Sequence, residues 1–416
     1  MEKIRKNFGF GCMRLPMIGE DVDMEQTKQM VDCFLEQGFN YFDTAHGYLQ
    51  GKSELALKSC LTSRYPREKY ILTNKLTANF FQTEEDIRPF FESQLEACGV
   101  DYFDFYLMHA QGAGNYPHFQ ECHAYEIAQE LKAEGKVRHV GISFHDSAEM
   151  LEKILTDHPE VEVVQIQFNY LDYEDPAVQS RRCYEVCRKY GKTVIVMEPV
   201  KGGNLVNLPE EARAVLDALH GGSPASYAIR FAAGFPGMLM VLSGMSTLEQ
   251  VEDNLAFMKD FQPLNETERA AVEKVQAIFH SKNLIPCTAC RYCTDGCPQH
   301  IAIPDIFAAD GEDAFRALET AALAELGKRS GAILATGGGS VCRAENYPLL
   351  HQNGTIFWLR RDLALLPKDG RPISQRSDLA ELYAQREPLY ARFADAVIDN
   401  NGTPEQTVQQ ILEVLA

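Results

Sequence analysis

No apolar run in this chain approaches the ~20 residues that a membrane-spanning helix needs, and no signal-like apolar stretch follows the charged start MEKIRKNFGFGCMRLP. Positive charge is scarce. Lys and Arg number 40 against 59 Asp and Glu, a formal net charge of −19. That balance repels phosphate backbones and anionic headgroups, so neither nucleic acid nor a membrane surface is expected as a partner. Cysteine is too sparse for a disulfide scaffold, with twelve in 416 residues. No G-x-G-x-x-G follows the first strand-like run, which argues against a Rossmann domain. No G-x₄-G-K-[ST] occurs anywhere, so the phosphate cradle of that motif is absent. Internal repeats and low-complexity linkers are also missing. What remains is ordinary globular composition, 45% hydrophobic and 24% charged, in a chain expected to be cytoplasmic. At roughly 150 residues per domain its length suits two or three domains.

From about residue 8 to 260, short apolar runs alternate with stretches of helical period. FGFGCMRL, FNYFDTA, YILTNKL, FDFYLMHA, VRHVGIS, VEVVQIQFN, TVIVMEP and MLMVLSG read as buried parallel strands. Met24–Gln37, Glu84–Cys98 and Ala124–Glu134 are amphipathic helices between them. Eight strands alternating with helices predict a (β/α)₈ TIM barrel, an α/β fold, over residues 1–262. Residues 263–306 hold one more helix and a cysteine run, and residues 307–416 form a third, α/β block. In that block AILATGGGS, TIFWLRRD and AVIDNN read as strands. LAELYAQREPLYARFA and PEQTVQQILEVLA read as helices, the latter capped by Thr403 before Pro404.

In such barrels chemistry sits at the C-terminal ends of the strands. Asp43 ends the second strand, Tyr48 follows it in FDTAHGY, Lys75 ends the third and His109 the fourth. Each has an ordinary structural reading: a cap, a rim aromatic, a solvated strand end, a structural imidazole. Together, at consecutive strand ends, they suit carbonyl reduction. Hydride reaches carbon while a proton must reach oxygen. A free tyrosine, with a pKa of ~10, needs help near neutrality, and a lysine held charged by an aspartate supplies it. His109 can orient the carbonyl oxygen.

With FGFGCMRLP, FDTAHGY, GIS and SGMSTLEQVEDNL, these residues resemble the aldo-keto reductase family over about residues 5–262. The resemblance implies a barrel that binds NADPH without a Rossmann domain and reduces an aldehyde, ketone or sugar. It makes Tyr48 the proton donor, Lys75 and Asp43 its tuning pair and His109 the substrate orienter. Ser143 and Gln165 match positions that hold the nicotinamide carboxamide, and Gly244, Ser246 and Asn254 match the adenosine-phosphate end. Three positions depart from the pattern. Phe144 replaces a frequent Asn, Met197 stands where an aromatic usually stacks on the nicotinamide, and Gln250 falls where an Arg often grips the 2′-phosphate. NADPH and NADH therefore both stay open as the coenzyme.

Four cysteines cluster as Cys287-x₂-Cys290-x₂-Cys293-x₃-Cys297-Pro298. Two-residue spacers let one loop wrap a corner of an iron–sulfur cubane, so a [4Fe–4S] cluster is expected ahead of structural zinc. In two-cluster ferredoxins the fourth cysteine of such a run serves the other cluster, so the fourth ligand is open. The run and IAIPDIF resemble the ferredoxin-like extension of an iron–sulfur subgroup of the same family, and GISFH and MEPVKGG agree with it. Such a cluster would brace the chain or exchange electrons with a flavin or a redox partner. An electron-transfer oxidoreductase is thus the alternative function.

From about residue 303 onward, IPDIFAADGEDAFRALE, ATGGGSVCRAEN, GRPIS, REPLYARFAD and TPEQTVQQIL resemble the C-terminal two-thirds of shikimate kinases. The resemblance matches Arg316, Gly337, Gly338, Gly339 and Arg386 to shikimate contacts, and Arg371 to an ATP lid. Without a P-loop or the family's first strand, kinase activity is not expected. A shikimate-binding remnant is the further alternative.

Overall fold

Strands buried on both faces need no polar alternation, and the barrel strands are written that way; all six residues of ILTNKL are buried. The computed structural model describes residues 4–281, residues 316–363 apart from 318, 325, 329–333, 335, 337 and 353, and residues 379–415. It divides into two units, Met1–Asn283 and Leu284–Ala416.

In the first unit eight parallel strands close a barrel in sequential order. They are β1 (Phe8–Gly11), β2 (Tyr41–Asp43), β3 (Ile71–Leu76), β4 (Phe103–Gln111), β5 (Val137–Phe144), β6 (Val163–Gln167), β7 (Thr193–Met197) and β8 (Met238–Gly244). The register brings Gly11 opposite both Asp43 and Gly244, and Ser143 opposite Gln165. One buried layer, including Tyr41, Ile71, Phe105, Leu107, Val163 and Met240, forms a core distinct from the larger one that contains Phe10, Phe34, Tyr106 and Leu151. Gly141 lets β5 and β6 approach, because a Cβ there would lie 2.5 Å from the Val163 carbonyl oxygen.

The helix Met24–Glu36 starts where the Asp23 carboxylate accepts from the amides of Glu25 and Gln26 at 3.1 and 3.0 Å. Glu84–Cys98 opens on a reciprocal Thr83–Asp86 cap and stops at Gly99, whose φ is 66°. The first strand is shorter than expected. It ends at Gly11, and Cys12–Arg14 curl into a 3₁₀ turn whose Cys12 carbonyl accepts from Ser53 Oγ at 2.9 Å. Glu266–Ser281, grouped by sequence with the cysteine run, buries Ala271, Val272 and Val275 against Leu205, Leu216 and Tyr227 in the first unit.

In the second unit β9 (Phe357–Arg360) pairs in parallel with β10 (Ala396–Asp399). The helices Leu379–Phe393 and Pro404–Leu415 form where the sequence places them, with Thr403 and Gln406 capping each other at 2.9 and 3.4 Å. The strand expected at AILATGGGS falls largely outside the described residues. Among the described residues, no helix is long and apolar enough to cross a membrane.

Candidate active site at the barrel mouth

A buried ammonium is tolerated only when its donors are satisfied and its charge is matched. Lys75 meets both conditions. Its Nζ donates to Asp43 Oδ1 at 2.5 Å, to the Thr44 carbonyl at 2.8 Å and to Tyr48 Oη at 3.2 Å. Lys75 and Asp43 are buried, and Tyr48 is half-buried at the mouth. Burial opposes the Lys75 charge, but Asp43 and Tyr48 outweigh it and hold the amine above its ordinary range. Burial also pushes the Asp43 carboxyl up, and the Lys75 ammonium and the Gln165 amide offset that only in part.

The His109 ring lies 6.0 Å from the Tyr48 ring, centroid to centroid, with the planes at 75°. Its Nδ1 bonds Thr77 Oγ1 at 2.7 Å. Burial, then the Lys75 charge and His145, hold the imidazole well below its ordinary 6.5. The ring is neutral at neutral pH. With the Thr77 hydroxyl assigned as donor to Nδ1, the proton sits on Nε2. The four residues read from the sequence thus share one site, joined by Thr77 and Thr44, which the sequence reading did not single out.

Ser143 and Gln165 face each other across β5 and β6. Ser143 Oγ accepts from the Ala110 amide at 2.7 Å, and Gln165 Nε2 donates to Asp43 Oδ2 at 3.4 Å. Gln165 Oε1 is buried with no hydrogen-bond partner. An unsatisfied buried acceptor beside a serine hydroxyl fits a primary carboxamide, which carries one donor group and one acceptor. Met197 ends β7, half-buried. The loop after it is held by the buried Lys201–Asp172 pair and by Asn169, whose Nδ2 bonds Asp172 at 2.7 Å and the Glu198 carbonyl at 3.0 Å. At the seam of β1 and β8, Ser246 Oγ donates to the Arg14 carbonyl at 2.8 Å, Asn254 Nδ2 to Ser243 Oγ at 3.3 Å, and Gly244 lies under the Arg14 side chain.

Non-glycine residues with left-handed backbone follow three of these positions: Leu49 and Gln50 after Tyr48 (φ 51° and 57°), Ala110 after His109 (53°) and Glu198 after Met197 (54°). Each costs on the order of 1 kcal/mol. These conformations sit directly beside side chains gathered at the barrel mouth.

Cys287, Cys290, Cys293 and Cys297 lie outside the described residues, as do Gly337 and Arg371. In the second unit the buried Arg316 bonds Glu319 at 2.7 Å, and a side chain on Gly339 would collide with its guanidinium. Tyr390 Oη donates to the Gly338 carbonyl at 2.9 Å, from the helix that also carries Arg386.

Residues 7–277 match the aldo/keto reductase family, and residues 298–416 match shikimate kinase. Similar solved structures include an aldo-keto reductase from Klebsiella pneumoniae in complex with NADPH, at 20% identity and a TM-score of 0.54, covering 65% of this chain and 90% of that one. Another is the holo form of an aldo-keto reductase from Bacillus halodurans, at 25% identity and 0.52, covering 65% and 91%. Curated relatives include the shikimate kinase of Cupriavidus pinatubonensis, 44% identical over 113 residues, which are 25% of this chain and 58% of that protein. That of Pseudomonas syringae pv. tomato is 40% identical over 123 residues, 27% and 70%. The chain thus spans 58% of the length of the former and 70% of the latter.

Proposed function

The chain belongs to the aldo/keto reductase family over residues 7–277 and to the shikimate kinase family over residues 298–416, and from that premise we propose that it is an NADP(H)-dependent oxidoreductase that reduces a carbonyl to an alcohol. The observation that carries the reading is the buried Lys75 ammonium shared between Asp43 and the Tyr48 hydroxyl. A bound nicotinamide would supply hydride to the carbonyl carbon. Tyr48 delivers its proton to the oxygen as negative charge develops there, and the Lys75 ammonium stabilises the phenolate left behind. Asp43 holds that ammonium in place. The neutral His109 donates from Nε2 to the same carbonyl oxygen and orients it. Ser143 and Gln165 would hold the nicotinamide carboxamide, Met197 would lie beside the ring, and Gly244, Ser246 and Asn254 would hold the adenosine-phosphate end.

Replacing Tyr48 by Phe removes the proton and keeps the ring. Carbonyl reduction is expected to fall by at least ~10²-fold, with NADPH binding by fluorescence titration unchanged. Undiminished turnover would remove the assignment.

The reading extends to the cysteine run, whose thiolates at Cys287, Cys290, Cys293 and Cys297 have the spacing for a [4Fe–4S] cluster. Hydride transfer at the barrel mouth does not need it, so its place is structural or in electron exchange with a redox partner. The eight cysteines among the described residues are all unpaired, in keeping with a reducing cytoplasm. The shikimate kinase segment is read as having no phosphoryl transfer of its own, because no G-x₄-G-K-[ST] lies anywhere in the chain.

A further inference from the structure

Alternation along the strands decides which side chains meet inside the barrel mouth. On β5, Val140, Ile142 and Phe144 pack outward into the larger core, which leaves Gly141 and Ser143 on the inner face; a Cβ at residue 141 would meet Leu107 and Val163 of the inner layer. On β4, Tyr106 and Met108 pack outward and Phe105 and Leu107 inward, so His109 takes the next inner position. His145 takes the next inner position on β5. The ladder runs on to it, because its amide donates to the Gln111 carbonyl of β4 at 3.1 Å. Its polar neighbours are spent on the protein. Ser143 Oγ takes the Ala110 amide, His109 Nδ1 bonds Thr77, Gln111 Oε1 accepts from Tyr125 at 2.9 Å, and the Asp146 carboxylate accepts from the Ser147 and Ala113 amides. The His145 ring makes no hydrogen bond or ion pair with another described residue. It is open to solvent, yet enough protein surrounds it that burial and the Lys75 charge hold its pKa at about 4, and it helps in turn to lower that of His109. A side chain both open and surrounded lines a recess.

We propose that His145 contacts the substrate beside its carbonyl, and that the substrate carries a hydroxyl there, as a hydroxyaldehyde, a hydroxyketone or an open-chain sugar does. The proposal rests on the reductase reading and narrows it. His109 and His145 stand on neighbouring strands with His145 further out, so a molecule held at its carbonyl by Tyr48 and His109 extends past the second ring. At neutral pH that ring is uncharged and presents one donor and one acceptor, the same pair that a hydroxyl presents. It gives the hydroxyl a partner in place of the water left behind on entry. The Lys75 charge is already matched by Asp43, so it is not left over for a substrate carboxylate.

The test is steady-state reduction by the full chain with NADPH, on pairs that differ in hydroxylation alone: glyceraldehyde against propanal, and hydroxyacetone against acetone. The wild type should favour the hydroxylated member of each pair in kcat/KM. His145→Ala and His145→Phe should each cut that preference about three- to tenfold, the loss of one neutral hydrogen bond, mainly through a raised KM. His145→Gln, which keeps a donor and an acceptor, should restore part of it. Thermal melts establish that each variant folds; if His145→Ala does not, His145→Phe decides. Equal losses on both members of a pair would place the effect in the fold or the coenzyme and overturn the proposal, as would an unchanged preference. A wild type that reduced only the plain members would overturn it too and leave the reductase reading standing. A wild type that reduced none of the four would overturn the proposed substrate class, and if it also failed to bind NADPH in fluorescence titration it would bring down the reductase reading itself.

Discussion

In the proposed reaction the His109 imidazole donates, and a single hydroxyl decides whether it can. His109 is neutral, so only one of its nitrogens carries hydrogen. Thr77, bonded to Nδ1 at 2.7 Å, places that hydrogen on Nε2 when its hydroxyl donates. Thr77→Val removes the bond with little change in volume. The expected result is a kcat lowered roughly ten- to hundredfold with KM for the carbonyl little changed, and recovery in Thr77→Ser. Nitrogen chemical shifts of the ring would report the tautomer directly. Because the pKa of His109 lies well below 6.5, the ring should remain neutral as pH falls through 6.5, and no step in kcat/KM there should trace to it. A variant with wild-type kcat would show that Thr77 only fills space. The tetrad itself was legible in the sequence, since Asp43, Lys75 and His109 are polar groups at strand ends where apolar residues are the rule. Thr77 was not, because a threonine past a strand end is unremarkable until a ring nitrogen is found beside it. The meeting of Arg14 with residues 244 and 246 was hidden for another reason: they are over two hundred positions away, and only closure of the barrel brings them together.

Elements are fixed by the same logic of matched charge, and here pH becomes a probe. Glu162, just before β6, accepts from the Val140 amide of β5 at 3.1 Å, from Lys132 at 2.6 Å and from His139 at 2.8 Å. Burial raises its pKa, but these partners overturn that and lower it from 4.5 to about 2. The folded state therefore binds the Glu162 proton more weakly than the unfolded chain does. Its contribution is complete above pH 4.5 and is lost as pH falls from about 4.5 to about 2. The side chain is partly exposed, so solvent screening leaves on the order of 1 to 2 kcal/mol at neutral pH. Glu162→Gln should lose that much in denaturant melts at pH 7 and converge with the wild type toward pH 2. A constant gap across the range would assign the loss to packing. Helix bounds at this scale were largely written in the sequence, because Asp23, Thr83 and Gly99 are residue types that mark helix ends. The left-handed turns at Leu49, Gln50, Ala110 and Glu198 were not, because those residue types disfavour them and tertiary contacts impose them.

For the molecule as a whole, the join between the two families raises the question of what the cysteine run does. The hydrogen-bonded cluster at the barrel mouth, Asp43, Tyr48 and Lys75 with Gln165, and His109 with Thr77, lies within residues 43–165. The proposed reduction would not call on an electron carrier there, since hydride moves as a pair of electrons in one step. The spacing Cys287-x₂-Cys290-x₂-Cys293-x₃-Cys297 nonetheless puts four cysteines within eleven residues, close enough for one loop to wrap a cluster. Anaerobic reconstitution of the full chain should therefore yield about four iron and four sulfide per chain, with broad visible absorption that dithionite bleaches. Cys290→Ser should lower the iron content and the absorption together. If the cluster only braces the chain, this variant keeps NADPH-driven carbonyl reduction within a few-fold and loses thermal stability. If electrons pass through the cluster, reduction of a one-electron acceptor collapses while two-electron carbonyl reduction persists. Zinc in place of iron after the same reconstitution would replace both roles with a structural knuckle.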